Sequence, residues 1–180
     1  MSLTAAGLIA TAISFVAFIT IAVWYVAPWM RERPLAVALS VPLWVQVFRY
    51  VALQIFSAQH FGFRISDAAA NEIAWGDVAG AVLALVALWL LRRGSRAAIP
   101  VVWVFVVEST VDLLNATVMG IRERAQETAF AATWLILDIY TVMLWVTLAL
   151  IIWRLVVAPR MADPTSAHGE QESRAEPSRR

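Results

Sequence analysis

The sequence predicts an all-α, polytopic membrane bundle of five spanning helices. Three observations carry this. Five apolar stretches each reach the ~20 residues needed to cross a bilayer. The chain is 61% hydrophobic with a mean hydropathy of +0.72, well above a soluble domain of roughly 45–50% apolar residues. Arginines cluster in alternate loops, as positive-inside sorting requires.

The first span runs from about Thr4 to Trp29 and closes on Trp24, Tyr25, Pro28 and Trp29, an interfacial aromatic belt. Its start lacks a positively charged leader, and its apolar run is too long for a cleavable signal. The second span runs from about Leu35 to Ser57, with Pro42 as the expected kink. The third runs from Ile73 to Leu91 and stops at Arg92-Arg93-Gly94-Ser95-Arg96. The fourth covers Ala98 to Met119, and the fifth Ala131 to Val157 between Trp134 and Trp153. Together they make one membrane domain over residues 1–159. Residues 160–180 are rich in Asp, Glu, Ser, Pro and Arg, have little to bury, and read as a disordered cytoplasmic tail.

Orientation follows from the loops. Arg31, Arg33, Arg92, Arg93, Arg96, Arg154 and Arg160 fall on one side, with three more Arg in the tail. The other side has Arg64, Arg122 and Arg124. The N-terminus is therefore expected outside and the C-terminus inside. The abundance of Arg and Ala without Lys points to a GC-rich bacterium, and so to its cytoplasmic membrane.

Composition also excludes functions. With no Cys there are no thiol relays or Cys-ligated clusters. All 14 basic residues are Arg, so no Lys can form a Schiff base. The two histidines are His60 and His168, which argues against paired haem ligation. A net charge of +1 without a basic stripe argues against nucleic-acid binding. Nucleotide, zincin and nucleophile-elbow motifs are missing. No metal site is expected, and no cofactor is assigned.

Ionisable residues inside the spans are costly and by default functional. Arg49, Asp112 and Asp138 come out roughly 20 Å from the cytoplasmic boundary, Asp77 slightly further, and Glu108 about 15 Å in. Glu108, Asp112 and Asn115 share one face of span four. The spacing of Gln46, Arg49, Tyr50 and Gln54 predicts another stripe on span two, and Asp138, Thr141 and Trp145 a third on span five. Such stripes must face one another or water. The predicted binding residues are Arg49, Asp77, Glu108, Asp112, Asn115 and Asp138, with Gln46, Gln54, Trp75 and Trp145 as pocket wall. Four carboxylates against one guanidinium require a bound proton, a cation or a cationic ligand. The structural alternative is an Arg–Asp pair that simply holds helices together.

Gly76-x-x-x-Gly80-x-x-x-Ala84 reads as a small-residue packing ridge beside Asp77. The loop Ser57–Glu72 could cover the cluster, with Ser66 or Asp67 capping the next helix and His60 either solvated or at a gate. Trp44, Trp75, Trp103 and Trp145 sit deep in the spans, as packing or as a pocket lining.

Phe48–Leu53, Trp75-Gly76-Asp77 and Val111-Asp112-Leu113-Leu114-Asn115-Ala116 resemble a group of small bacterial integral membrane proteins without established activity. The resemblance covers spans two to five and implies a small multi-span fold. In general plan the chain also resembles membrane sterol isomerases, which use acids and a Trp within a small bundle; no residue roles carry over.

The leading functional expectation is a binding or translocation site for a proton, cation or small amphiphile. In it, Asp112 and Asp138 titrate or bind a cation, Glu108 extends the path, and Arg49 is the counter-charge. The alternatives are a membrane-embedded enzyme acting on a lipid or isoprenoid, with Glu108 or Asp112 as general acid, and an accessory subunit of a membrane complex. The lipid bilayer is the expected partner, and an odd number of spans suits a homo-oligomer.

Overall fold

The computed structural model describes residues 2–161, with side chains through residue 157. Its secondary structure is wholly helical over those residues. Five helices are long and apolar enough to cross a membrane, which makes the chain a multi-pass membrane protein: α1 (Leu3–Glu32), α2 (Leu35–His60), α3 (Asp67–Arg92), α4 (Ala98–Arg122) and α5 (Ala131–Val157, continuing to Met161). The helices overrun the expected spans by up to six residues because polar interfacial turns remain helical, as where α3 begins at Asp67 rather than Ile73. The tail expected over 160–180 begins within α5 and otherwise lies outside the described residues.

Local chemistry sets each boundary. The Ser2 hydroxyl caps α1 by accepting from Ala5 N–H at 3.2 Å. Arg33 turns extended before Pro34, which clashes with a helical predecessor, and α1 stops. The chain leaves α2 through Gly62 at φ +99° and α3 through Gly94 at φ +63°, left-handed positions that glycine adopts without strain. Ser66, not Asp67, caps α3 through Ala69 N–H.

Three helices are irregular, and each irregularity turns side chains. α1 contains a π-helical turn at Ala22–Val26, next to Pro28. α2 runs through Pro42 and tightens to a 3-10 helix over Phe48–Leu53. α5 contains a π-helical turn at Ile136–Tyr140, where the Thr141 hydroxyl donates to the Ile136 carbonyl five residues back at 2.9 Å.

α3 lies centrally, packed against α2 and α4; α5 packs on α2, and α1 packs chiefly on α5. The Ala-rich face of α3 (Ala70, Ala74, Ala81, Ala84, Ala87) is buried, as close helix approach in lipid requires. One apolar core, around Leu39, Leu43, Leu88, Phe105, Leu148 and Ile151, fills the arginine-rich half of the bundle. A smaller one, around Ile55, Phe63, Ala70, Ala74 and Ala129, lies toward the N-terminal face. Polar side chains and a cavity separate them.

Arg154 lies within α5 and is buried, although its charge was counted with the loops. Its guanidinium donates to the carbonyls of Met30 and Arg33, both at 3.0 Å, and so satisfies the otherwise unpaired C-terminal end of α1.

Candidate functional site

Arg49 is the hub. It sits on the 3-10 segment of α2 and is fully buried. Its Nε donates to Asp77 Oδ1 at 2.7 Å and its Nη1 to Ser109 Oγ at 2.7 Å, while its Nη2 donates to Asp112 Oδ2. Ser109 in turn donates to Glu108 Oε2 at 3.0 Å. A guanidinium has five N–H groups. Three are engaged, so one cation gathers acids from α3 and α4.

Glycines on α3 create the room. A Cβ on Gly80 would lie 2.7 Å from Arg49 Nη1 and 3.1 Å from Glu108 Oε2. A Cβ on Gly76 would overlap the Asp112 carboxylate. The Gly76–Gly80 ridge is therefore the socket for the ion cluster, beyond its role in packing helices.

The other predicted residues divide. Asn115 lies one turn beyond Asp112 and donates to Glu72 Oε1 at 2.8 Å, outside the cluster. Gln46 donates to the Leu144 carbonyl (3.0 Å) and Thr147 Oγ1 (2.9 Å), tying α2 to α5. Gln54 pairs with Thr133 at 3.3 Å. Tyr50 is half exposed, off the face assigned to it, because a 3-10 helix turns with three residues rather than 3.6. Trp75 is 61% exposed and faces away from the bundle. His60 is exposed at the end of α2, its Nδ1 2.8 Å from the Phe56 carbonyl, and it does not reach the cluster.

Asp138 is fully buried but joins a different set of partners. Its Oδ1 accepts from Thr11 Oγ1 of α1 and from Gln126 Nε2 of the α4–α5 turn, both at 2.7 Å. Within the π-helical turn it faces α1 and that turn, whereas Thr141 and Trp145 face a cavity.

That cavity has a volume of about 480 Å³. Its lining is mainly apolar, with Arg49 and Asp77 on one wall and Gln54, Tyr140, Thr141 and Trp145 on others. Phe63 and Ile65 of the α2–α3 loop and Ala125 and Gln126 of the α4–α5 turn close it toward the N-terminal face. The two loops are tied together: Ser66 donates to Glu123 Oε1 at 2.7 Å, and Arg64 N–H to Thr128 Oγ1 at 3.0 Å. Leu8 of α1 and Ile121 of α4 line the cavity yet are 62% and 73% exposed. As α1 and α4 have no substantial contact, the cavity opens sideways between them.

The sequence reading missed Ser109, Thr11, Gln126 and Gly7. Ser109 was legible three residues before Asp112, on the same face. Gly7 and Thr11 were weakly legible, as a small and a polar residue one turn apart in an apolar run. Gln126 is a loop residue and carried no signal. Among the described residues, no group of three or more His, Asp or Glu is placed to hold a metal ion.

Comparison with curated proteins and with solved structures finds no match. A family profile described as a domain of unknown function, DUF8737, matches residues 7–156, nearly the whole helical bundle, and the chain belongs to that family.

Proposed function

We propose that this protein binds a small amphiphile, a hydroxyl-bearing lipid or isoprenoid, that enters its cavity from the bilayer. The cavity carries the reading. Ligand sites are typically 300–1,000 Å³, mostly apolar, with a few convergent polar groups; here about 480 Å³ of apolar lining ends on Arg49 and Asp77. A hydroxyl head both donates and accepts, matching a carboxylate beside a guanidinium with N–H groups to spare. The apolar body would lie against Leu113, Ala116 and Ile136. The sideways opening between Leu8 and Ile121 supports entry from lipid rather than from water. In this reading the arginine-rich face, with Arg31, Arg33, Arg92, Arg93 and Arg96, is cytoplasmic in a bacterial membrane.

Native mass spectrometry of gently extracted protein tests this, alongside thermal unfolding with added isoprenoid alcohols. The expected result is a stoichiometric bound mass and a raised melting temperature. Both effects should vanish in Ala116→Phe, which fills the cavity while retaining the fold. A bare wild-type chain that such alcohols do not stabilise would overturn the reading.

A further inference from the structure

Among the described residues three buried side-chain atoms have no hydrogen-bond partner, and two of them, Asp138 Oδ2 and Gln126 Oε1, belong to a pair of residues bonded to each other. These groups already share a bond, Gln126 Nε2 to Asp138 Oδ1 at 2.7 Å. An ionised carboxylate and a carboxamide oxygen are both acceptors only. As drawn by the heavy atoms, the pair makes one hydrogen bond and leaves two oxygens unsatisfied.

Among the described residues no donor serves either oxygen. Thr11 donates to Oδ1, the oxygen that Gln126 also serves. Among the described residues Asp138 has no ion-pair partner: Arg49 is held by Asp77 and Asp112, and Arg124 is exposed and faces Glu127 at 3.9 Å. Gly7 of α1 closes over the pair so tightly that a Cβ there would overlap Gln126 Oε1 and stand 3.4 Å from Asp138 Oδ1. Neither orphaned oxygen offers measurable surface to a water molecule. A buried charge without a counter-charge is strongly disfavoured, and so is a buried acceptor without a donor.

We propose that Asp138 and Gln126 form a proton-binding site, in which Asp138 is a neutral carboxylic acid whose Oδ2–H donates to Gln126 Oε1. One proton then satisfies both orphaned oxygens, and acid and amide are joined by two antiparallel hydrogen bonds. The site is separate from the Arg49 cluster and stands whether or not the cavity takes an amphiphile. Gln126 and Thr11, both bonded to Asp138, also line the cavity, so the acid lies one side chain away from that space. The π-helical turn aims Asp138 at this site, and such turns recur at functional positions.

Infrared difference spectroscopy of the detergent-solubilised protein at neutral pH decides the matter, comparing wild type with Asp138→Asn. Asparagine reproduces the neutral acid, with Oδ1 as acceptor and an N–H donor where the O–H stood. The expected result is loss of one carboxylic-acid C=O band with the melting temperature nearly unchanged. Loss of carboxylate bands instead would show a charged Asp138 and overturn the proposal. Gln126→Leu gives a second reading that keeps the acid in place. The Asp138 C=O band should then move to higher frequency as its hydrogen bond is lost, and an unmoved band would likewise overturn the proposal.

Discussion

Gly80 and Arg49 occupy one space divided between them: a Cβ on the glycine would stand 2.7 Å from Nη1 and 3.0 Å from Cζ of the guanidinium. The charge cluster of this bundle thus depends on a missing side chain on α3. Gly80→Ala should push Arg49 off Ser109 and cost about 1–3 kcal/mol, the usual range for overpacking. Gly120 faces open space within 4 Å. Gly120→Ala should be neutral or stabilising by up to about 1 kcal/mol, because alanine is the better helix former. Thermal unfolding of the two variants in one detergent makes the comparison.

Arg49→Met should be among the most damaging substitutions in the chain. It leaves Asp77, Asp112 and Glu108 without their shared cation, and breaking a buried pair typically costs about 3–5 kcal/mol. Adding Asp77→Asn and Asp112→Asn to Arg49→Met should recover much of that loss, since both carboxylates that bond Arg49 directly are then neutral. A triple variant no more stable than Arg49→Met alone would show that shape, not charge, dominates the cluster.

The anchor of α1 lies at Gly7 and Thr11. Thr11→Val removes the 2.7 Å bond to Asp138 and should cost about 0.6–1.7 kcal/mol, as interhelical bonds in membranes do. Gly7→Leu should cost more, because it displaces Gln126. Cysteine labelling at Leu8, with this Cys-free chain as background, should then be faster in both variants. Labelling at the wild-type rate would argue that α1 is held elsewhere.

Arg154 should behave as a structural cap. Arg154→Met removes both bonds to the end of α1 and should destabilise by about 1–3 kcal/mol, the cost of unsatisfied buried acceptors. Proteolysis at the Arg33–Pro34 turn should increase. Arg154→Lys should recover part of the loss, since a lysine presents one centre where the guanidinium presents a fork.

Hydrophobic length suffices to read five candidate spans from this sequence, because lipid admits few other backbone solutions. The i, i+4 pair Glu108 and Asp112 and the small-residue ridge at Gly76 and Gly80 were equally legible, since helical periodicity decides which residues share a face. What those faces meet was decided by packing. Arg49 and Asp112 come from elements 63 residues apart, and no local rule names such a partner. The side-chain directions of Tyr50 and Asp138 depend on a 3-10 segment and a π-helical turn, which interrupt the 3.6-residue period used to assign faces. Gln126 reaches Asp138 only because the α4–α5 turn folds back over the bundle. The sequence by itself therefore determined which stretches are long and apolar enough to span a membrane and which polar residues they carry. Only the tertiary structure divided the polar residues into an ion cluster around Arg49 and a separate acid–amide pair at Asp138. A span's apolar length follows from residue-by-residue transfer free energy, whereas partnership follows from how five helices share the same small volume.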